Sequence, residues 1–331
     1  MKNFRKIIQP ARTWINYAFF RRYRYARKIR RHFKQYYTPD APETLFPEQS
    51  VICMADGKCH HGGLADRLRS FVTYYGYCRK HGIRFGIHFT FPFRLEDYLI
   101  PNSYDWRLRP GELTFNQKQA RAFYMDNTSD DGPRELEFQR KLSDRYLSDR
   151  HHIQHHVYSS FYYDEANFGR YFNELFRPAP RIETLLEKER HSLGDSYISV
   201  SARFLELLGD FKEPKATLRL SPEEQTDLIE RCVRQVEKLH SLHPGMNILV
   251  TSDSRRFTEA CSRLPYVHST PGQISHVDVE GEADHARTFL DFLLIAGASH
   301  VYQIRTAPMY GGNFSLRAAQ AGSRPHNLIS F

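Results

Sequence analysis

The chain has 331 residues, 40% of them hydrophobic and 26% charged, which is the make-up of a folded protein with material for two domains. Its five cysteines are odd in number and lack paired spacing, which excludes a disulfide framework and fits a reducing compartment. The net charge of +9 is local: residues 1–37 hold twelve Lys or Arg and no Asp or Glu, leaving 35 basic against 38 acidic residues elsewhere, so the overall basicity gives no reason to expect the body to bind nucleic acid.

Residues 1–46 read as a basic, aromatic tail and linker. If residues 19–37 are helical, Arg24, Arg27, Lys28, Arg31 and Lys34 share one face, and Phe19, Tyr23, Ala26, Phe33 and Tyr37 lie near another. Such a helix can lie on an anionic membrane surface; a solvated tail or a helix packed on the body is the alternative. No run approaches the length of apolar residues that a membrane span needs, and the start shows no apolar stretch of a signal peptide. The expected location is cytoplasmic, with residues 1–37 as the means of peripheral contact with the inner membrane face.

Ser50–Ala55 reads as a strand ending in a Gly/His loop. The helical spacing of Leu64, Leu68, Phe71, Val72, Tyr75 and Cys78 predicts a helix over 64–79, and a strand follows at 84–88. This is the strand–helix–strand unit of a parallel sheet. Residues 90–176 are aromatic-rich and less regular, with helices expected at 164–176 and 181–191. Beyond that the alternation is clear: a strand at 197–201, a helix from Ser221-Pro222-Glu223-Glu224 to about His240, a strand at 247–251 and a helix at 254–263. A long apolar helix at 284–298, a strand at 300–304, a helix at 313–321 and a strand at 327–331 complete it. Ser, Pro and Glu at that spacing form a capping box. The α/β pattern predicts two Rossmann-like domains, residues 47–190 and 191–331. In doubly wound sheets ligands sit at the carboxyl ends of the strands, which selects the loops 56–67, 202–220, 252–255 and 305–315.

Each loop carries candidate chemistry. His60-His61-Gly62-Gly63-Leu64-Ala65-Asp66-Arg67 combines a glycine turn, a helix start and positive charge, which suits an anion or a plain helix start equally. Arg203, just past the end of a strand, can hold two phosphate oxygens with its planar fork; an ion pair with Glu206 or Asp210 is the alternative. Thr251-Ser252-Asp253-Ser254 can cap a helix or meet a ribose or base. Tyr310-Gly311-Gly312-Asn313-Phe314-Ser315 leads into a helix N-terminus and is a candidate phosphate cradle. The histidines at 151, 152, 155 and 156 lack a carboxylate or cysteine set and read as a surface cluster rather than a metal site.

Taken in order, Gly62-Gly63-Leu64-Ala65-Asp66-Arg67-Leu68, Arg203, Thr251-Ser252-Asp253-Ser254 and Asn313-Phe314-Ser315 with Ala318-Ala319 resemble the GT-B fucosyltransferases. That superfamily joins bacterial nodulation α-1,6-fucosyltransferases, α-1,2-fucosyltransferases and protein O-fucosyltransferases, and the match in order runs over roughly residues 50–331. The resemblance implies a GT-B fold, two Rossmann-like domains facing a central cleft, and an inverting, metal-independent transfer of fucose from GDP-fucose. The acceptor would be a hydroxyl of a glycan or lipid-linked saccharide, and no cofactor is implied beyond the GDP-sugar itself. By position, Arg203 looks like the residue that contacts the β-phosphate and assists departure of GDP. Asn313, Phe314 and Ser315 look like the pyrophosphate and nucleoside block, Asp291 like a support for guanine or ribose, and Gly62, Gly63 and Arg67 like the loop facing the donor. Ser252 and Asp253 belong to the expected donor site. The base that takes the acceptor proton is sought among His60, His61, Asp66, Glu206 and Asp210, with His61 chosen because it abuts the glycine turn; a purely structural His is the alternative. The family carries His two residues before the Arg, where this chain has Ser201, and its short Arg-Arg-Gly-Asp continuation is replaced by Phe204-Leu205-Glu206-Leu207-Leu208-Gly209-Asp210. A transferase using another sugar nucleotide, and a scaffold that binds a glycan without catalysis, therefore stand beside the fucosyltransferase reading.

Overall fold

The computed structural model describes residues 27, 31–125, 132–160, 166–210, 218–272 and 285–331. In chain order the elements are β1 (Ser50–Ala55), α1 (Leu64–His81), β2 (Arg84–Phe89), β3 (Leu99–Pro101), β4 (Ala120–Met125), α2 (Gly132–Leu147), β5 (Gln154–Ser159), α3 (Phe168–Leu175), β6 (Phe176–Pro178) and α4 (Pro180–Leu193). They continue with β7 (Tyr197–Ala202), α5 (Pro222–Leu242), β8 (Asn247–Ser252), α6 (Arg255–Cys261), β9 (Val267–His268), α7 (Ala286–Gly297), β10 (His300–Arg305), α8 (Phe314–Ala321) and β11 (His326–Ser330). The chain divides into two compact units: residues 1–54, 77–88 and 107–161, and residues 55–76, 89–106 and 162–331. The expected boundary at 190/191 falls inside α4, within the second unit.

The first unit holds a four-stranded sheet in the order β2-β1-β5-β4, with β5 parallel to both β1 and β4. The histidines expected on the surface correct that reading in part. His155 and His156 sit within β5, wholly buried, whereas His151 stays exposed. A central strand is covered on both faces, so its polar side chains must find partners inside. They do: His156 Nδ1 lies 2.7 Å from the Tyr37 hydroxyl, and His155 Nε2 donates to the Asp149 carbonyl at 3.1 Å. Burial pushes the His155 imidazole down to about 4, so it is neutral in the folded protein. Phe33 packs on Tyr158 at 4.4 Å between ring centroids, so residues 33–37 belong to the body of this unit. The rest of the expected basic helix, apart from Arg27, Arg31 and His32, lies outside the described residues.

The second unit holds a five-stranded parallel sheet in the order β11-β10-β7-β8-β9, and a short antiparallel pair, β3 with β6. From β7 the chain steps to β8 and β9 on one side, then returns to place β10 and β11 on the other. The point of reversal lies between β7 and β10. Ile198, Val200, Ile248, Val250 and Ile304 are buried, as continuous apolar runs in a parallel sheet require. Helix α5 covers them with Leu228, Cys232, Val236 and Leu239, one face at helical spacing. Fully burying each such aliphatic side chain contributes roughly 1.5–3 kcal/mol. The Ser221 hydroxyl accepts from the Glu224 amide and the Glu224 carboxylate accepts from the Ser221 amide, the capping box expected from sequence. Among the described residues no helix is long and apolar enough to cross a membrane.

Candidate active site

A cavity opens at the point of reversal in the second unit. It is lined by residues 63–66, 201–203, 251–253 and 312–315, with Thr288, Asp291, Gln303 and Tyr310. Topology explains the set. The carboxyl ends of β7 and β8 deliver Ser201 to Arg203 and Thr251 to Asp253, β10 delivers Gln303, and the start of α8 delivers Asn313 to Ser315. Of the residues singled out in the sequence, Gly63, Arg203, Ser252, Asp253, Asp291, Asn313, Phe314 and Ser315 line this cavity; Gly62, His61 and Arg67 do not.

Arg203 has 32% of its side chain exposed, and its Nε stands 3.7 Å from Asp253 Oδ2. The ring of Tyr310 lies on its guanidinium, with Cζ 5.1 Å from the centroid. Asp253 has further work: its carboxylate accepts the amide N–H of Phe204 at 2.8 Å and of Leu205 at 2.9 Å. Those bonds hold Leu205 at φ 54°, a left-handed conformation costly for a branched side chain, two residues after the arginine. Burial raises the Asp253 carboxyl, and the two amides and Arg203 work against that rise. Asp210, expected as an ion-pair partner of Arg203 or as a base, instead accepts from the Ser254 hydroxyl and the Arg256 amide at the start of α6.

The α8 side supplies amide donors. Asn313 precedes the helix without a side-chain bond to its first amides, so Asn313 does not satisfy the donors of that turn. Ser315 lies 3.3 Å from His326 Nε2, and Gln303 Nε2 donates to the Gly312 carbonyl at 2.9 Å, fixing the approach of the loop to the strand. Asp291, on the buried face of α7, accepts from the Thr270 hydroxyl and stands 3.8 Å from Arg287 Nε. Burial pushes its carboxyl up to about 6.

The glycine loop is organised differently. Gly62 takes φ 72°, and a Cβ there would stand 3.1 Å from Asp66 Oδ2, so the turn needs glycine. Arg67 is 2% exposed and donates to the carbonyls of Gly62 at 3.0 Å and Phe91 at 2.8 Å while lying over the Phe89 ring. It braces the loop. His61 is also buried, and its Nε2 accepts the Gly57 amide at 3.0 Å, which occupies that lone pair. Asp66, with 39% of its side chain exposed and an ion pair to Arg69 at 3.0 Å, is the carboxylate that this loop brings to the cavity. Among the described residues no three His, Cys, Asp or Glu side chains converge as metal ligands.

No protein-family profile matches the chain, and no curated protein matches it in sequence. Solved structures do. A variant of FUT1 from Arabidopsis thaliana in complex with GDP superposes with a TM-score of 0.54 at 14% identity, over 92% of this chain and 74% of the other. The α-1,6-fucosyltransferase NodZ soaked with GDP-fucose gives 0.54 at 15% identity over 86% and 95%. The fucosyltransferase NodZ from Bradyrhizobium gives 0.52 at 16% identity over 82% and 92%. This chain therefore has the fold of the GT-B fucosyltransferases.

Proposed function

We propose that this chain is a glycosyltransferase that moves fucose from GDP-fucose to a hydroxyl of a glycan or lipid-linked saccharide, with inversion and without a metal ion. The observation that carries the proposal is the placement of Arg203. It stands at the carboxyl end of β7, beside the reversal point, in a cavity shared with the start of α8 and with Asp291. GDP leaves as a diphosphate anion, and stabilising that charge is the largest service a site can give such a reaction. Arg203 and the amides of α8 supply it, with Ser315 and Phe314 beside the diphosphate and Asp291 toward the nucleoside. As the acceptor oxygen bonds to the anomeric carbon, the bond from that carbon to the diphosphate breaks and GDP keeps the electron pair. The acceptor proton passes to a base. We assign that role to Asp66 rather than His61, because Asp66 reaches the cavity and the His61 Nε2 lone pair is taken by Gly57.

One observation favours a second reading of the donor. Ser201 lines the cavity with its hydroxyl 2.7 Å from Thr251 Oγ1, where the resembled family carries His. A sugar other than fucose is the alternative that this pair supports. Contact with an anionic membrane surface through residues 1–37 is proposed from the charge of that segment alone.

Thermal shift against GDP, UDP, ADP, CMP and GDP-fucose, first with chelator and then with Mg²⁺, tests the proposal, because a ligand of the folded state raises its stability by mass action. The expected result is a rise with GDP and GDP-fucose alone, equal with and without Mg²⁺. A rise with UDP instead overturns the donor, dependence on Mg²⁺ overturns the metal-free mechanism, and no rise with any nucleotide overturns the transferase.

A further inference from the structure

Tyr310 lines the cavity with 49% of its surface exposed, an unusual expense for a large aromatic residue in the described part of this chain. Its ring covers the Arg203 guanidinium, Cζ to centroid 5.1 Å. A second contact comes from Gly312: a Cβ there would stand 3.2 Å from Arg203 Cδ and 3.3 Å from Nη1, so the arginine side chain lies close against this glycine. Asp253 provides a third contact at Nε, 3.7 Å away, but it already accepts two backbone amides. A carboxylate neutralises the charge it holds. A ring face does not; it attracts the cation through its quadrupole without accepting an N–H from the guanidinium plane.

We propose that Tyr310 is a positioning residue for Arg203, and that its ring face, not its hydroxyl, sets the guanidinium for the terminal phosphate of a nucleoside diphosphate. The inference rests on the donor reading given above. It assigns to the exposed aromatic a role through the arginine, distinct from stacking on the base or sugar of the ligand. A half-exposed cation–π contact corresponds to about a two- to fivefold effect on binding.

The test is calorimetric titration of the full chain with GDP and with GMP, for the unsubstituted protein, Tyr310→Leu, Tyr310→Phe, Arg203→Ala and the pair Tyr310→Leu with Arg203→Ala. GMP lacks the phosphate that Arg203 would meet. Expected are a loss of about two- to fivefold for GDP in Tyr310→Leu, unchanged GMP binding, GDP binding by Tyr310→Phe equal to that of the unsubstituted protein, and a double variant no weaker than Arg203→Ala. If Arg203→Ala weakens GDP and Tyr310→Leu does not, this inference falls and the functional reading stands. Loss of GMP affinity in Tyr310→Leu, or a further loss in the double variant, means that the ring touches the ligand itself, which also overturns it. If the unsubstituted protein binds no GDP, the functional reading falls and takes this inference with it. Tyr310 is half-exposed, so its replacement leaves the core packing in place, and unchanged melting of Tyr310→Leu in the absence of nucleotide checks that point.

Discussion

The two units treat polar side chains in opposite ways. In the first, His155, His156 and Gln154 lie inside the central strand, and the bonds that hold them run to nearby backbone and side chains, such as Asp149 and Tyr37. In the second, Arg203, Asp253 and Asp291 stand at or beside the carboxyl edge of the sheet and line a cavity. The same contrast recurs between two arginines of the second unit. Arg67 spends its guanidinium on the carbonyls of Gly62 and Phe91, whereas Arg203 has a third of its side chain in solvent. Charge at a strand or helix end is therefore no sign of function by itself. What separates the two arginines is burial and whether the side chain lines the cavity.

The largest expected effect breaks the arginine comparison in two. Arg203→Ala should lower sugar transfer from GDP-fucose by a hundredfold or more, on the order of the loss of one preorganised donor to a developing anion. Its melting temperature should barely move, because the side chain is partly exposed. Arg67→Ala should do the reverse. Two partly buried backbone carbonyls lose the donor that a buried guanidinium supplies, which costs about 2–4 kcal/mol of stability in chemical denaturation. An Arg203→Ala protein with full transfer activity would erase the distinction drawn between them.

The pH dependence sharpens the comparison of the units. Folding moves His155 from an ordinary 6.5 down to about 4, so the unfolded chain takes up a proton first, and this residue's contribution to stability is lost as pH falls from 6.5 toward 4. Asp291 moves from 3.8 up to about 6, so the native state holds a proton that the unfolded chain has released, and stability is lost as pH rises from about 4 to about 6. Each shift corresponds to up to about 3 kcal/mol, with opposite slopes over nearly the same window. Urea midpoints of His155→Gln and Asp291→Asn between pH 4 and pH 7 should therefore deviate from the parent in opposite directions. Equal slopes in all three proteins would show that neither burial governs acid stability.

What the sequence disclosed follows from the same physics. The strands of the second sheet were legible because short segments rich in Ile, Val and Leu, such as Tyr197–Ala202 and Asn247–Ser252, alternate with clearly periodic helices. β4 and β5 were not, since Gln154-His155-His156 interrupts the apolar pattern with residues that tertiary partners, invisible locally, make tolerable. β9 has two residues and no periodicity to detect. At the site, Arg203 and the Asn313-Phe314-Ser315 block could be found from their places after a strand and at a helix start. The true neighbours of Asp291 and Arg203 could not: Thr270 lies 21 residues before Asp291, and Tyr310, though within a motif already noted, gave no hint that its ring would cover an arginine. The sequence also points to Arg67 for the donor and His61 for the base, because it shows charge and a glycine turn but not where a guanidinium or a lone pair is spent.

The smallest expected effect marks the limit of purely local reasoning. The capping box at the start of α5 was read from Ser221-Pro222-Glu223-Glu224, and both reciprocal bonds are present, at 3.3 Å and 2.8 Å. Both residues are exposed, so little tertiary packing depends on them. Ser221→Ala removes the acceptor for the Glu224 amide at a helix end open to water, which should cost about 0.5–2 kcal/mol. Ser221→Gly should cost only a few tenths, because a glycine there lets water reach the same amides. The denaturation midpoint should shift without a change in its slope, and GDP affinity should stay constant, since the cap lies in the second unit but does not line the cavity. A loss of GDP affinity in Ser221→Ala would mean that α5 transmits strain to β7, so that a cap outside the cavity still shapes it.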